Sequence, residues 1–197
     1  MNNYQKQLKQ LSEIQGRPEL LLHVCCGVCS VYPLVYLRDH FKITIFFSNS
    51  NIYPYEEFSK RLNALEEYLK ILNDPEIRLI VDSYENDGWE EELGSMKEEP
   101  EGGKRCKACY RYRMERAFAY ARKHHYPCCT TIMSISNRKN ADWLNEIGEE
   151  LEQQYSVTYL HCDLKRGDGI TINERMNKSL NLYHQDYCGC RYSIRDL

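Results

Sequence analysis

Seven cysteines of this chain stand in three tight groups: Cys25, Cys26 and Cys29 in HVCCGVCS, Cys106 and Cys109 in RCKAC, and Cys188 and Cys190 in YCGC. A C-x-x-C turn lets two thiolates reach one metal or cluster while backbone amides donate to the sulfurs. C-G-C does the same with a glycine that permits close approach. Two such groups complete a four-thiolate site, so seven thiolates exceed what one zinc ion or one 4Fe-4S cluster uses. The count asks for a cluster plus something more. Structural zinc and a thioredoxin-like dithiol at Cys26 and Cys29 are the simpler readings, and both leave at least one group unused. Cys128, Cys129 and Cys162 lie inside apolar segments, where a free cysteine behaves as a small buried residue.

The elements that must carry these groups alternate. Leu20 to Val24, Ile43 to Phe47, Ile77 to Val81, Cys128 to Met133 and Val157 to Leu160 are short, apolar and rich in β-branched residues, and read as five strands. Between them Phe58, Leu62, Leu65, Leu69 and Leu72 recur at helical steps, as do Met114, Ala117, Phe118 and Ala121, and Leu144, Ile147 and Leu151. Strand and helix in alternation imply right-handed crossovers and an α/β fold: an open, mainly parallel sheet flanked by helices in a Rossmann-like three-layer sandwich. Ligands of such sheets gather at the carboxyl ends of the strands, where Cys25 and Cys26, Asn49 and Asn51, Ser134 and Ser136, and Asp163 all fall. Residues 1–197 read as a single domain, with 1–18 as an N-terminal extension and the acidic, glycine-containing stretch 85–105 as a long mobile loop.

Composition narrows the class. The chain has 197 residues, 42% of them hydrophobic and 28% charged, ordinary for a folded protein and against disorder or a collagenous chain. No apolar run reaches the ~20 residues of a membrane span, and Met1 to Gly16 lacks the apolar centre of a signal peptide. A cytoplasmic location is expected. There thiols stay reduced, which favours metal or redox chemistry over a disulfide frame for the ten cysteines. A net charge of -3 gives no global attraction to nucleic acid, so an RNA partner needs a local basic surface.

The stretches LLHVCCGVCS, FFSNSNIYP with EEFSKR, EGGKRCKACYRYRMERA, TTIMSIS with NRK, and LYHQDYCGCRYS resemble, in order and spacing, the QueH family of epoxyqueuosine reductases over most of Leu20 to Ser193. That resemblance implies an HUP-like sheet and an enzyme that reduces the epoxide of epoxyqueuosine, at the wobble position of certain tRNAs, to the alkene of queuosine. It also implies one 4Fe-4S cluster and a neighbouring single iron, with Cys25, Cys26, Cys29, Cys106, Cys109, Cys188 and Cys190 at the matching positions. Relatives with aspartate in place of Cys29 mark that position as the variable one. Gly27-Val28, His184 and Cys162 to Lys165 also depart from the family's usual residues.

Epoxide removal takes two electrons and two protons, and the oxygen leaves as water. No side chain supplies the electrons, so the resemblance implies a separate electron donor. One division assigns Cys26, Cys106, Cys109 and Cys190 to the cluster and Cys25, Cys29 and Cys188 to the iron, since adjacent cysteines project differently. Asp186 and Tyr187, next to Cys188, are the candidate acids, with His184 a weaker one; a structural role for Asp186 is the simpler reading, as a core role is for His23. Substrate contacts are expected from Asn51, Tyr110, Arg113 and Gln185. The segment holding Lys104, Arg105, Lys107, Arg111, Arg113, Arg116, Arg122 and Lys123, interleaved with Tyr110, Tyr112 and Tyr120, reads either as an RNA surface or as a solvated helix face. The rivals are a PP-loop tRNA-thiolating enzyme, whose phosphate loop is replaced here by Cys25 to Ser30, and a zinc-stabilised RNA-binding module without catalysis.

Overall fold

Five parallel strands form one sheet in the order β3-β2-β1-β4-β5: β1 (Glu19–His23), β2 (Lys42–Phe47), β3 (Arg78–Val81), β4 (Cys128–Thr131) and β5 (Thr158–Tyr159). The computed structural model describes residues 1–194. β1 lies at the centre, Leu22 standing beside Ile45 of β2 and Thr130 of β4. Leu20, Leu21 and Leu22 are all fully buried, without in-out alternation, because helices cover both faces. Each such leucine contributes roughly 1.5–3 kcal/mol. From β1 the chain winds outward to β2 and β3, then returns to place β4 and β5 on the other side. Connections leave in opposite directions at β1 and β4, which opens a crevice at their carboxyl ends.

The three periodic stretches form α3 (Tyr55–Leu72), α5 (Lys104–Lys123) and α6 (Ala141–Tyr155). α2 (Gly27–Leu37) starts directly after the first cysteines, with Cys26 as its N-cap. It packs so closely on α3 that a Cβ on Gly27 would stand 2.6 Å from the Ala64 carbonyl carbon and oxygen. Only glycine fits there.

Several expectations need correction. The stretch 85–105 is no long loop: α4 (Asn86–Leu93) and a 3-10 turn over Gly94–Met96 occupy its first half, and α5 begins at Lys104. Trp89 and Leu93 anchor it in a small second core with Cys109 and Cys190. Two apolar residues among acids are too sparse to show a period. Nor is the N-terminus a loose extension. α1 (Asn3–Glu13) opens with a capping box between Asn2 and Gln5 and buries Gln7 and Leu11. Gln7 accepts the Asp163 backbone N–H at 2.7 Å, and Lys6 meets Glu149 at 2.6 Å. β4 stops at Thr131, whose hydroxyl accepts the Met133 N–H and starts a 3-10 turn over Ile132–Ile135. α7 (Gly169–Asn177) was not legible: Asn173 and Asn177 tie it to the Val28 carbonyl of α2 at 3.1 and 2.9 Å, through amides that leave no apolar stripe.

Cys128, Cys129 and Cys162 are core residues as expected, 8%, 1% and 2% exposed. Among the described residues no helix is long and apolar enough to cross a membrane.

Gly27→Ala is expected to destabilise the fold by about 1–3 kcal/mol or more, because the added methyl meets backbone that cannot repack. Urea denaturation with an unchanged slope but a lower midpoint is the signature; an unchanged midpoint means α2 and α3 slide apart freely.

Candidate functional site

The sharp turn from β1 into α2 brings the first three cysteines together at the crevice. The sulfurs of Cys25, Cys26 and Cys29 all lie within 4.8 Å of one another. Cys26, at the N-cap, and Cys29, one turn into the helix, are joined as a disulfide with Cα atoms 5.4 Å apart. This bond lies within one group and does not tie the groups to each other. Cys25 stays free beside them, its sulfur 3.8 Å from that of Cys26.

The C-terminal YCGC turn has neither strand nor helix to hold it. Arg61 of α3 performs that task. It is 3% exposed and donates to the carbonyls of Cys188 and Tyr187 at 2.9 and 3.1 Å, while its Nε bonds Glu57 at 2.7 Å. The carbonyl of Gly189, at φ +133°, accepts the Tyr53 N–H at 2.8 Å; a Cβ there would stand 3.1 Å from Arg61 Nη1. Cys188 thus joins Cys25, Cys26 and Cys29 on the wall of one cavity of about 180 Å³.

Cys106 and Cys109 enter from the first turns of α5, and Cys190 packs beside Cys109 against Trp89 and Leu93. Burial pushes the Cys109 thiol up to about 12, the Arg113 charge opposing it, and burial likewise raises Cys106 and Cys190. Cys188 lies near enough to act on the titration of all three. It is the member that links the sulfurs on α5 to those on α2. The Gly102 N–H donates to Cys106 Sγ at 3.2 Å, and Gln185 Nε2 to Cys26 Sγ at 3.1 Å and Cys29 Sγ at 3.7 Å. These donors would stabilise thiolates.

Charge around the cavity is one-sided. Arg61, Arg113, Arg138 and Lys139 line it, and among the described residues no carboxylate does. Arg138 and Lys139 belong to the NRK stretch quoted from the sequence, yet no role was drawn for them there, because isolated basic residues after a strand carry no period or spacing. His23, fully buried at the end of β1, bonds Thr131 Oγ1 at 2.8 Å and the Ser48 carbonyl at 3.0 Å. Burial holds its pKa well below the ordinary range, Arg113 and Lys139 pushing the same way. It is a satisfied core histidine.

The remaining candidates are spread around this centre. Tyr187 lines the cavity, but its hydroxyl donates to the Tyr53 carbonyl, and burial raises its pKa to about 12. Asp186 is exposed; its carbonyl accepts from Arg138 at 3.4 Å. Gln185 lies between this cavity and a second groove of about 560 Å³, which His184 also lines. Asn51, 1% exposed, sits against Gly189, while Tyr110 and Arg113 are buried on the inner face of α5.

The basic segment is mostly tied into the fold. Arg105 is 2% exposed and donates to the carbonyls of Met96, Lys97 and Glu99. Lys107 pairs with Glu146, Arg111 with Glu150, and Arg116 with Asp82 and Glu85. These acids come from other elements, so sequence neighbours alone did not reveal the compensation.

Soft sulfur donors without a carboxylate or imidazole on the cavity wall suit iron or another thiophilic metal, and the donor set fits an iron-sulfur centre. A doubly wound parallel sheet with cysteines gathered at its crevice makes this a cysteine-rich α/β protein suited to metal–thiolate binding. The family model described as Epoxyqueuosine reductase QueH matches residues 20–196. A protein of that name from Streptococcus pyogenes serotype M1 is 30% identical over 200 residues, covering 98% of this chain and 78% of the relative. Those from Staphylococcus epidermidis and Thermotoga maritima are 34% and 30% identical, covering 97% and 89% of this chain and 84% and 90% of theirs. The chain belongs to the QueH family of epoxyqueuosine reductases.

Arg61→Met is expected to cost about 3–5 kcal/mol, since it strands buried Glu57 and frees two carbonyls of the cysteine turn. Glu57→Gln in the same chain should recover part of that loss. Urea denaturation of the single and double variants checks it; a single-variant effect within about 0.5 kcal/mol would locate the anchor elsewhere.

Proposed function

We propose that this chain is an oxidoreductase that reduces the epoxide of epoxyqueuosine in tRNA to the alkene of queuosine. The observation that carries this reading is that Cys188 of the C-terminal turn shares one cavity with Cys25, Cys26 and Cys29, while its neighbour Cys190 packs beside Cys109 of α5, in a chain of this family. The balance is one epoxide, two electrons and two protons to one alkene and one water. An external donor provides the electrons.

Cys26, Cys106, Cys109 and Cys190 would hold a 4Fe-4S cluster, and Cys25, Cys29 and Cys188 a single iron. When bound, these groups would supply one-electron transfer and Lewis acidity toward oxygen. Placement supports part of this division: Cys25, Cys29 and Cys188 line the cavity together with Cys26, whereas Cys106, Cys109 and Cys190 are not on its wall, and Cys26 would turn from the wall to complete their set. Reduction of the Cys26–Cys29 bond is the condition for either centre to load.

A cavity of about 180 Å³ is too small for a nucleoside. The adjoining groove, about 560 Å³ and continuous through Cys29, Ser136 and Gln185, is where the rest of the modified nucleoside would lie. Gln185 is placed to touch both, and Asn51 to brace the Cys188–Cys190 turn. Tyr187 is the better placed proton donor, because it borders the cavity while Asp186 faces outward. The transfer requires its hydroxyl to leave the Tyr53 carbonyl. Exposed Arg138 at the rim is suited to a phosphate of the anticodon strand.

Anaerobically reconstituted protein should bind more iron than sulfide and convert epoxyqueuosine tRNA. Serine at Cys25, Cys109 or Cys188 should lower iron content and abolish conversion, whereas alanine at Cys128 should leave both intact. Iron equal to sulfide removes the separate iron; no iron at all, with conversion retained, removes the metal reading. In single turnover, Tyr187→Phe should slow reduction by about 10²-fold with tRNA binding unchanged, and Asp186→Asn should leave the rate alone. The reverse pattern assigns the proton to Asp186.

A further inference from the structure

Arg113 is 2% exposed, yet among the described residues it has no carboxylate partner. It donates from Nη2 to the neutral amide oxygen of Asn49 at 2.5 Å, and its buried Nε has no partner among the described residues. Asn49 is in turn fixed by donating to the Val24 carbonyl at 2.9 Å. Lys139, 9% exposed, likewise has no ion pair among the described residues. Both side chains line the cysteine cavity.

A guanidinium cannot shed its charge inside a protein, and an ion buried without a counter-ion costs several kcal/mol. Arg61 and the half-buried Arg116 have their carboxylates in Glu57 and Asp82, and buried Arg105 donates to three backbone carbonyls instead, whereas Arg113 meets a single amide oxygen. Arg113 and Lys139 therefore face a cavity where the described residues provide no carboxylate. The cavity wall offers sulfur instead. Thiolates gathered on a metal centre carry net negative charge, since four of them outweigh the core they hold.

We propose that Arg113, assisted by Lys139, is the fixed counter-charge of the metal–thiolate centre, a positioning pair that holds its negative charge in place and makes it easier to reduce. This rests on the metal reading given above. It follows from general behaviour: the potential of such a centre rises when positive charge and hydrogen bonds surround it in a buried site. Arg113 acts from a depth that an RNA phosphate does not reach, whereas Arg138 stands exposed at the rim.

The test compares reconstituted wild type with Arg113→Gln, Arg113→Lys, Lys139→Gln and Arg113→Met. Wild type must first show iron and a reversible reduction; if it shows none, the metal reading fails, which is distinct from a failure of the counter-charge. With iron and sulfide content unchanged, Arg113→Gln should lower the equilibrium constant for reduction about tenfold, which is about 59 mV for one electron. Arg113→Lys should restore most of it, and Lys139→Gln should shift it the same way by several-fold. Should Arg113→Gln fail to load, the Lys139→Gln potential decides. Arg113→Met provides a second readout without electrons: it should raise the melting temperature of the metal-free reduced chain and lower that of the loaded chain. Potentials unchanged in the loaded variants, equal shifts of both melting temperatures, or loss of tRNA affinity at constant potential would each overturn the proposal, the last by making Arg113 a substrate contact.

Discussion

Arg61 meets three partners at once: Glu57 on its own helix, and the carbonyls of Tyr187 and Cys188. The Cys188–Cys190 turn lies more than a hundred residues further along the chain and has no ladder of its own to place it. A buried guanidinium is well suited to the task, because its planar fork fixes several acceptors in one geometry and its charge does not switch off. Glu57 makes the burial tolerable, and Tyr183 steadies Glu57 through a hydrogen bond of 2.7 Å. Without this contact the sulfurs of α2 and α5 would face an open crevice.

The electrostatics of the cavity depart from those of the whole chain. Overall charge is slightly negative, while the lining carries sulfur and cations with no carboxylate. Cations that serve structure elsewhere are matched by acids, as Arg116 is by Asp82 and Glu85, or by carbonyls, as Arg105 is. Of those at the crevice, Arg61 is matched, whereas Arg113, Arg138 and Lys139 have no carboxylate among the described residues. The fold thus separates cations that hold elements together from cations that face chemistry.

Much of this was legible in the residues. Long amphipathic periods announced α3, α5 and α6, and continuous apolar runs announced the central strands, because their burial leaves a simple mark on the sequence. α4 and α7 left little mark: one rests on Trp89 and Leu93, the other on two asparagine amides bonded to the Val28 carbonyl. The cysteine groups could be read from spacing, since chelation demands closeness along the chain. That Arg61, Arg113 and Lys139 matter could not, because their partners come together only through tertiary contact. The basic run on α5 promised an exposed surface for a related reason: the helix turns Arg105 and Arg113 inward and pairs Lys107 and Arg111 with acids of α6.

Three thiols are sealed in the core at Cys128, Cys129 and Cys162, and burial raises the pKa of each. Burial alone does not make them poor ligands, because Cys109 is as buried as Cys128 and its thiol is pushed equally high. Position sets them apart: none of the three lines the cavity, whose wall carries Cys25, Cys26, Cys29 and Cys188. A metal delivered to the crevice therefore meets those sulfurs before any decoy.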